Sequence, residues 1–240
     1  MKSMRDLLSS IPGCAMPALS AEELALAALE ISRRDSDALA VERQRTRQRR
    51  VESSLARSAV PVRYRDAVLR PLTREQAPAY RAAVEFVTGF SDRLRSGAGM
   101  VITGPVGTGK THLACAVANA LIGQLRPVMY CTALEAVALV RSSWRRDGDL
   151  SEFDVYARFG DPQLLIIDEI GVQLGSDFER MVLTTVADIR SRNCLPTVVV
   201  SNLSPMELHG LLGERLFDRL VGFGADVVTV PGRSLRGVGV

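Results

Sequence analysis

No stretch of this 240-residue sequence approaches the ~18 uninterrupted apolar residues that a membrane-spanning helix needs, which excludes a membrane protein. Cysteine is scarce. Cys14, Cys115, Cys131 and Cys194 lie more than four residues apart from one another, so no C-x-x-C or zinc-knuckle spacing exists. Cys115 and Cys131 sit inside apolar runs and read as small buried hydrophobes, which points to a reducing, cytoplasmic compartment. Met1–Ala21 carries Lys2 and Arg5, but Asp6 and Pro12 interrupt the short apolar core that an export signal requires. The two histidines, His112 and His209, stand far apart and suggest no metal cluster; His112 reads as a helix-face residue. There is also little net charge: 30 Lys+Arg against 27 Asp+Glu leave +3. With 47% apolar and 24% charged residues, a collagen-like, mainly disordered or disulfide-stapled chain is excluded.

What charge there is clusters. Between Val41 and Arg65, eight arginines face only Glu42 and Glu52, so the remainder of the chain is net acidic. Before this cluster, Ser20-Ala21-Glu22-Glu23 fits a capping box, and Leu24, Ala27, Ala28 and Ile31 recur at helical spacing. Residues 1–70 therefore read as a small helical, Arg-rich region whose apolar stripe lacks surrounding chain to form a core. From about Pro71 the texture changes. Apolar runs at Met100–Thr103, Pro127–Cys131, Leu164–Asp168, Thr197–Ser201 and Val227–Val230 alternate with helix-period segments at Lys110–Ile122, Ala133–Arg145 and Phe178–Ser191. Ser204-Pro205 opens another helix. Strands alternating with helices imply βαβ units, and runs apolar on both faces imply a parallel sheet covered on two sides. Residues 71–240 are thus expected to form one α/β domain.

Gly104-Pro105-Val106-Gly107-Thr108-Gly109-Lys110-Thr111 matches G-x-x-x-x-G-K-[ST], after an expected strand and opening an expected helix. Glycines let backbone N–H groups converge on phosphate oxygens, and a helix N-terminus adds partial positive charge. Lys110 reaches the β- and γ-phosphates of ATP, and Thr111 ligates Mg²⁺. In Leu164–Glu169 an apolar strand carries an acidic pair to its tip, where open α/β sheets bind ligands. Asp168 is expected to hold Mg²⁺ through water and Glu169 to act on the attacking water, a pairing suited to hydrolysis. Asn202 emerges at the tip of Val198–Ser201, placed either to orient that water or simply to begin a turn. Arg215 and Arg219, four apart on one helical face, offer a cation to a neighbouring active site or form surface pairs with Glu214 and Asp218. Arg233 and Arg236 follow the last strand. Trp144, flanked by Arg141, Arg145 and Arg146, suits stacking on single-stranded nucleic acid or inward packing; Phe178 suits core packing.

These residues resemble the AAA+ family, specifically DnaC-type replicative helicase loaders. Leu165-Ile166-Ile167-Asp168-Glu169-Ile170-Gly171-Val172-Gln173 is similar to their Walker B segment, and Gly213-Glu214-Arg215 through Asp218-Arg219 to their arginine-finger box. The resemblance implies a P-loop AAA+ parallel-sheet domain with helices on both faces, preceded by a small helical region and lacking a full C-terminal lid. It further implies a slow ATPase in which Asn202 is the first sensor, Arg219 the finger acting in trans and Arg236 the second sensor. The implied partners are a hexameric replicative helicase docked on the N-terminal region, single-stranded DNA, and further copies of the chain through the Arg219 interface. IstB-type ATPases that assist transposases share the phosphate loop and layout. They supply the alternative reading, and a nucleotide-gated adaptor with little turnover supplies a third.

Overall fold

The computed structural model describes residues 42, 44–144, 151–171 and 176–235. The chain divides into two compact units, Met1–Arg49 and Arg50–Val240. The second unit begins before the residue-71 boundary drawn from sequence texture. Its first segment is helical over residues 51–57 and then supplies Val60, Tyr64, Ala67 and Leu69 to the core.

Five parallel strands form one sheet in the order β2-β3-β4-β1-β5. They are β1 (Met100–Thr103), β2 (Val128–Thr132), β3 (Leu164–Ile170), β4 (Thr197–Ser201) and β5 (Asp226–Thr229). The helices are α1 (Ala77–Thr88), α2 (Phe90–Ser96), α3 (Lys110–Gly123), α4 (Ala133–Ser142), α5 (Glu152–Gly160), α6 (Asp177–Arg192), α7 (Pro205–Leu212) and α8 (Glu214–Val221). Strands β1 and β4, and β3 as far as Asp168, are buried on both faces because successive side chains enter different cores, whereas the edge strand β5 leaves Val227 and Thr229 exposed. Met100, Ile102, Leu164, Ile166, Val198 and Val200 pack with α1 and α3. Val101, Leu165, Ile167 and Val199 pack with α4, α5, α6 and α8. Helix α3 runs through the first core and is buried almost all round, from Leu113 to Ala118 and again at Leu121 and Ile122.

Local sequence explains where half of the named helices begin. Thr132 with Glu135, Ser151 with Asp154, Ser176 with Glu179 and Ser204 with Glu207 each complete a capping box, opening α4 to α7. Sequence reading passes over three helices: α1, α2 and α5. In α1 the signal is masked by Pro78, which looks like a breaker but occupies the first turn, where its missing N–H costs nothing. The edge of β2 is not left open, because Tyr130 N–H donates to Ser58 O at 2.7 Å and Ser58 is fully buried. No helix among the described residues is long and apolar enough to cross a membrane.

Candidate nucleotide site

Neighbouring strands β3, β4 and β1 bring three of the motifs to one edge of the sheet. The loop Gly104–Gly109 follows β1, Asp168 and Glu169 lie near the end of β3, and Asn202 follows β4. Asn202 is exposed there. This is the C-terminal edge of a parallel sheet, the side on which such sheets hold ligands.

The loop's glycines meet geometric demands. Gly107 has φ +83°, and a Cβ there would lie 2.2 Å from Ser234 Oγ. Gly104 has φ +142°, and a Cβ would lie 2.3 Å from Val230 O. Gly109, at φ +95°, is the N-cap of α3. Unlike α4 to α7, α3 has no side-chain cap and no acidic residue in its first turn. Its N–H groups and the positive end of its dipole are directed to the loop, which suits an anion. Lys110, one of only two lysines in the chain with Lys2, is 6% exposed, and its ammonium donates to Pro105 O at 2.8 Å.

Asp168 is buried to 3% exposure and engaged at both oxygens. Thr111 Oγ1 and the Tyr130 hydroxyl each donate to Oδ2 at 2.8 Å, while the Glu169 N–H donates to Oδ1 at 2.7 Å. Glu169 sits in a β-bulge between Ile167 and Ile170 with φ +60°, a conformation uncommon outside glycine. The bulge breaks the alternation of β3, so Asp168 is buried beside the loop while Glu169 is exposed. Gly171 follows at φ +106°, and Ser201 Oγ donates to Ile170 O at 2.6 Å. A strained backbone at Glu169 beside the candidate site is the kind of feature that functional sites carry.

Thr111 and Asp168 offer hard oxygen donors 2.8 Å apart, which suits Mg²⁺ held jointly with phosphates. Among the described residues no group of three or more His, Cys, Asp or Glu could hold a metal ion by itself. Phosphate oxygens and water would complete the coordination.

Other expected residues fall differently. Arg219 is half-buried and pairs with Asp188 of α6, rather than with Glu214 or Asp218 of its own helix. Arg215 is exposed. Arg236 lies outside the described residues. The two residues before it reach the loop: Leu235 N–H donates to Gly107 O at 2.9 Å, and Ser234 lies against Gly107. Trp144 is 56% exposed, packs against Phe178 with ring centres 5.0 Å apart and the rings tilted by 55°, and donates from Nε1 to Glu152 at 2.9 Å. Phe178 is partly buried against the second core, with the Arg141 guanidinium 5.4 Å from its ring centre. His112 lies on α3 and bonds the Tyr80 hydroxyl through Nδ1 at 2.9 Å; burial lowers its pKa and raises that of Tyr80 to about 12.

Sequence reasoning misses Tyr130 and Gln76. Gln76 is fully buried and ties the loop to the chain after β5, donating to Thr108 O at 2.8 Å and Pro231 O at 3.3 Å. Neither residue carries a motif. Tyr130 reads as one more large residue in an apolar strand, and Gln76 as a polar residue before a helix.

Comparison with known proteins agrees with this geometry. The model of the IstB-like ATP binding protein family matches residues 21–238. The replicative helicase loader DnaC of Escherichia coli strain K12 is 33% identical over 145 residues, which is 60% of this chain and 58% of that protein. The chain therefore aligns with little more than half of that relative's length. The uncharacterized protein YdaV of the same strain is 29% identical over 194 residues, 80% of this chain and 77% of that one. A crystal structure of the DnaC helicase loader superposes with TM-score 0.61 at 20% identity, over 71% of this chain and 100% of that one. AMPPCP-bound DnaA from Aquifex aeolicus gives 0.59 at 19%, over 74% and 53%. These likenesses identify the parallel-sheet unit as an AAA+ fold.

Proposed function

Because the chain belongs to the IstB-like ATP-binding protein family, we propose that it is an ATP-hydrolysing loader of a ring-shaped replicative DNA helicase onto single-stranded DNA. The observation that carries the enzymatic part is the Thr111–Asp168 hydrogen bond beneath an uncapped helix, with Glu169 turned outward by the bulge. In this reading the loop N–H groups and Lys110 bind the phosphates, and the Thr111 proton points to Asp168, which leaves the hydroxyl lone pairs for Mg²⁺. The metal supplies charge neutralisation at the phosphates. Glu169 orients and accepts a proton from the attacking water, and Asn202 holds that water against the γ-phosphate. Arg219 and Arg236 contribute the finger and the second sensor, Arg219 after exchanging Asp188 for the phosphate of a neighbouring copy. Turnover is slow.

Similarity to DnaC over the ATP-binding part supports the loader reading, as does the Ile170-Gly171-Val172-Gln173 ending of the acidic segment. The N-terminal part would carry helicase docking through the Leu24–Ile31 stripe, which lies outside the described residues, and the unit from Arg50 onward the ATPase. Head-to-tail copies that do not close produce an open spiral, a geometry able to hold a ring open. The exposed face of Trp144 would stack on the single strand.

The test is affinity capture from a lysate of the source cells with the full chain and with Leu24→Asp/Ile31→Asp, read by mass spectrometry. Enrichment of a hexameric replicative helicase by the wild type only is the expected result. Enrichment of a transposase instead would overturn the loader reading in favour of an IstB-type partner, and helicase capture by both proteins would overturn docking through the stripe.

A further inference from the structure

We infer that Tyr130 is a positioning residue of the nucleotide site: its phenol fixes the Asp168 carboxylate and thereby sets how strongly Mg²⁺ strengthens nucleotide binding. The inference rests on the ATPase reading of the site. It starts from strand register. Thr132 is paired with Asp168 and Tyr130 with Ile166, so Tyr130 and Asp168 are diagonal neighbours on one face of the sheet. Diagonal cross-strand pairs are within reach of a long aromatic side chain.

Tyr130 is 6% exposed and its ring packs in the α3 core. Packing alone would be met by Phe, without the cost of burying a hydroxyl. The hydroxyl instead donates to Asp168 Oδ2 at 2.8 Å, the oxygen that also accepts from Thr111 Oγ1. With Glu169 N–H on Oδ1, the carboxylate is held from three directions, and only one of the three donors belongs to the expected metal shell. Removing the phenolic O–H releases one of the two donors on Oδ2. The carboxylate is then held only by Thr111 and the Glu169 N–H, and it can tilt and draw Thr111 with it, away from the geometry that shares a metal with phosphate. Loss of such an outer partner typically lowers metal affinity by about 10–100-fold.

The experiment measures binding of a fluorescent ATP analogue to the full chain, with excess Mg²⁺ and with EDTA, for wild type, Tyr130→Phe, Asp168→Asn and the double variant. Melting curves check folding. The expected result for Tyr130→Phe is an EDTA affinity within about twofold of wild type and a Mg²⁺-dependent gain reduced by about tenfold or more. The Mg²⁺ concentration for half-maximal effect should rise correspondingly. In Asp168→Asn the further change Tyr130→Phe should have no added effect, because the phenol acts through that carboxylate. An unchanged Mg²⁺-dependent gain in a folded Tyr130→Phe protein overturns the inference and leaves the ATPase reading standing. An equal loss with and without Mg²⁺ assigns Tyr130 a packing role and also overturns it. A wild type that binds no analogue under either condition overturns the reading and the inference together.

Discussion

Arg190 offers a test of how the AAA+ unit is held together, separate from its chemistry. The side chain is fully buried in α6 and makes five hydrogen bonds, all to neutral acceptors: Thr197 Oγ1 and the carbonyls of Phe159, Pro162, Gln163 and Pro196. It therefore clips the end of α5 and the approaches to β3 and β4 to one helix. In Arg190→Met the aliphatic volume is largely kept, but the carbonyls of Phe159, Pro162 and Pro196 and the Thr197 hydroxyl lose a close partner. At about 1–3 kcal/mol for each unsatisfied buried group, the gross cost is roughly 4–12 kcal/mol. Removing a buried charge that has no carboxylate among these acceptors returns roughly 4–5 kcal/mol of desolvation, so the mid-range gross cost of about 8 kcal/mol leaves a net loss of about 3–4 kcal/mol. For a unit of this size that corresponds to a melting temperature lower by roughly 6–16 °C. The acceptors lie at the N-terminal ends of β3 and β4, about 15 Å of strand from the nucleotide edge. Analogue affinity at 20 °C should therefore stay within about twofold of wild type. Calorimetry and fluorescence titration on the same preparation check both parts. A melting shift below about 2 °C would show that the carbonyls find other donors, and a large affinity loss in a folded variant would show that the clip is coupled to the site.

Two further predictions concern the chemistry. Lys110→Ala should abolish binding of the ATP analogue, whereas Glu169→Gln should bind it without releasing phosphate; undiminished phosphate release by Glu169→Gln would show that its role on the water is misassigned. Mixing Arg219→Ala with Glu169→Gln should restore part of the hydrolysis that each lacks, because one type of interface then holds both intact groups. Wild-type turnover per subunit that stays constant on dilution to monomer would exclude a finger acting in trans.

The amino-acid sequence alone determined the phosphate loop, the acidic pair, the five strands and the alternation that makes the sheet parallel, because each is a local requirement. Glycine is needed where φ is positive, a strand covered on both faces must be apolar throughout, and a serine or threonine with an acidic residue three positions on can begin a helix. Only the tertiary structure decided which distant residues meet. Tyr130 reaches Asp168 because β2 and β3 pair in one register, and a slip of one residue would turn the phenol to the opposite face. Arg219 meets Asp188 because α8 packs on α6, although Glu214 and Asp218 are nearer in sequence. Residues 58–69 belong with the AAA+ core because Ser58 covers the edge of β2 and Val60 and Ala67 are buried, whereas the sequence texture groups them with the Arg-rich region of residues 1–70. Such pairings depend on register, crossover and packing between elements far apart in the chain, and neither periodicity nor composition encodes them.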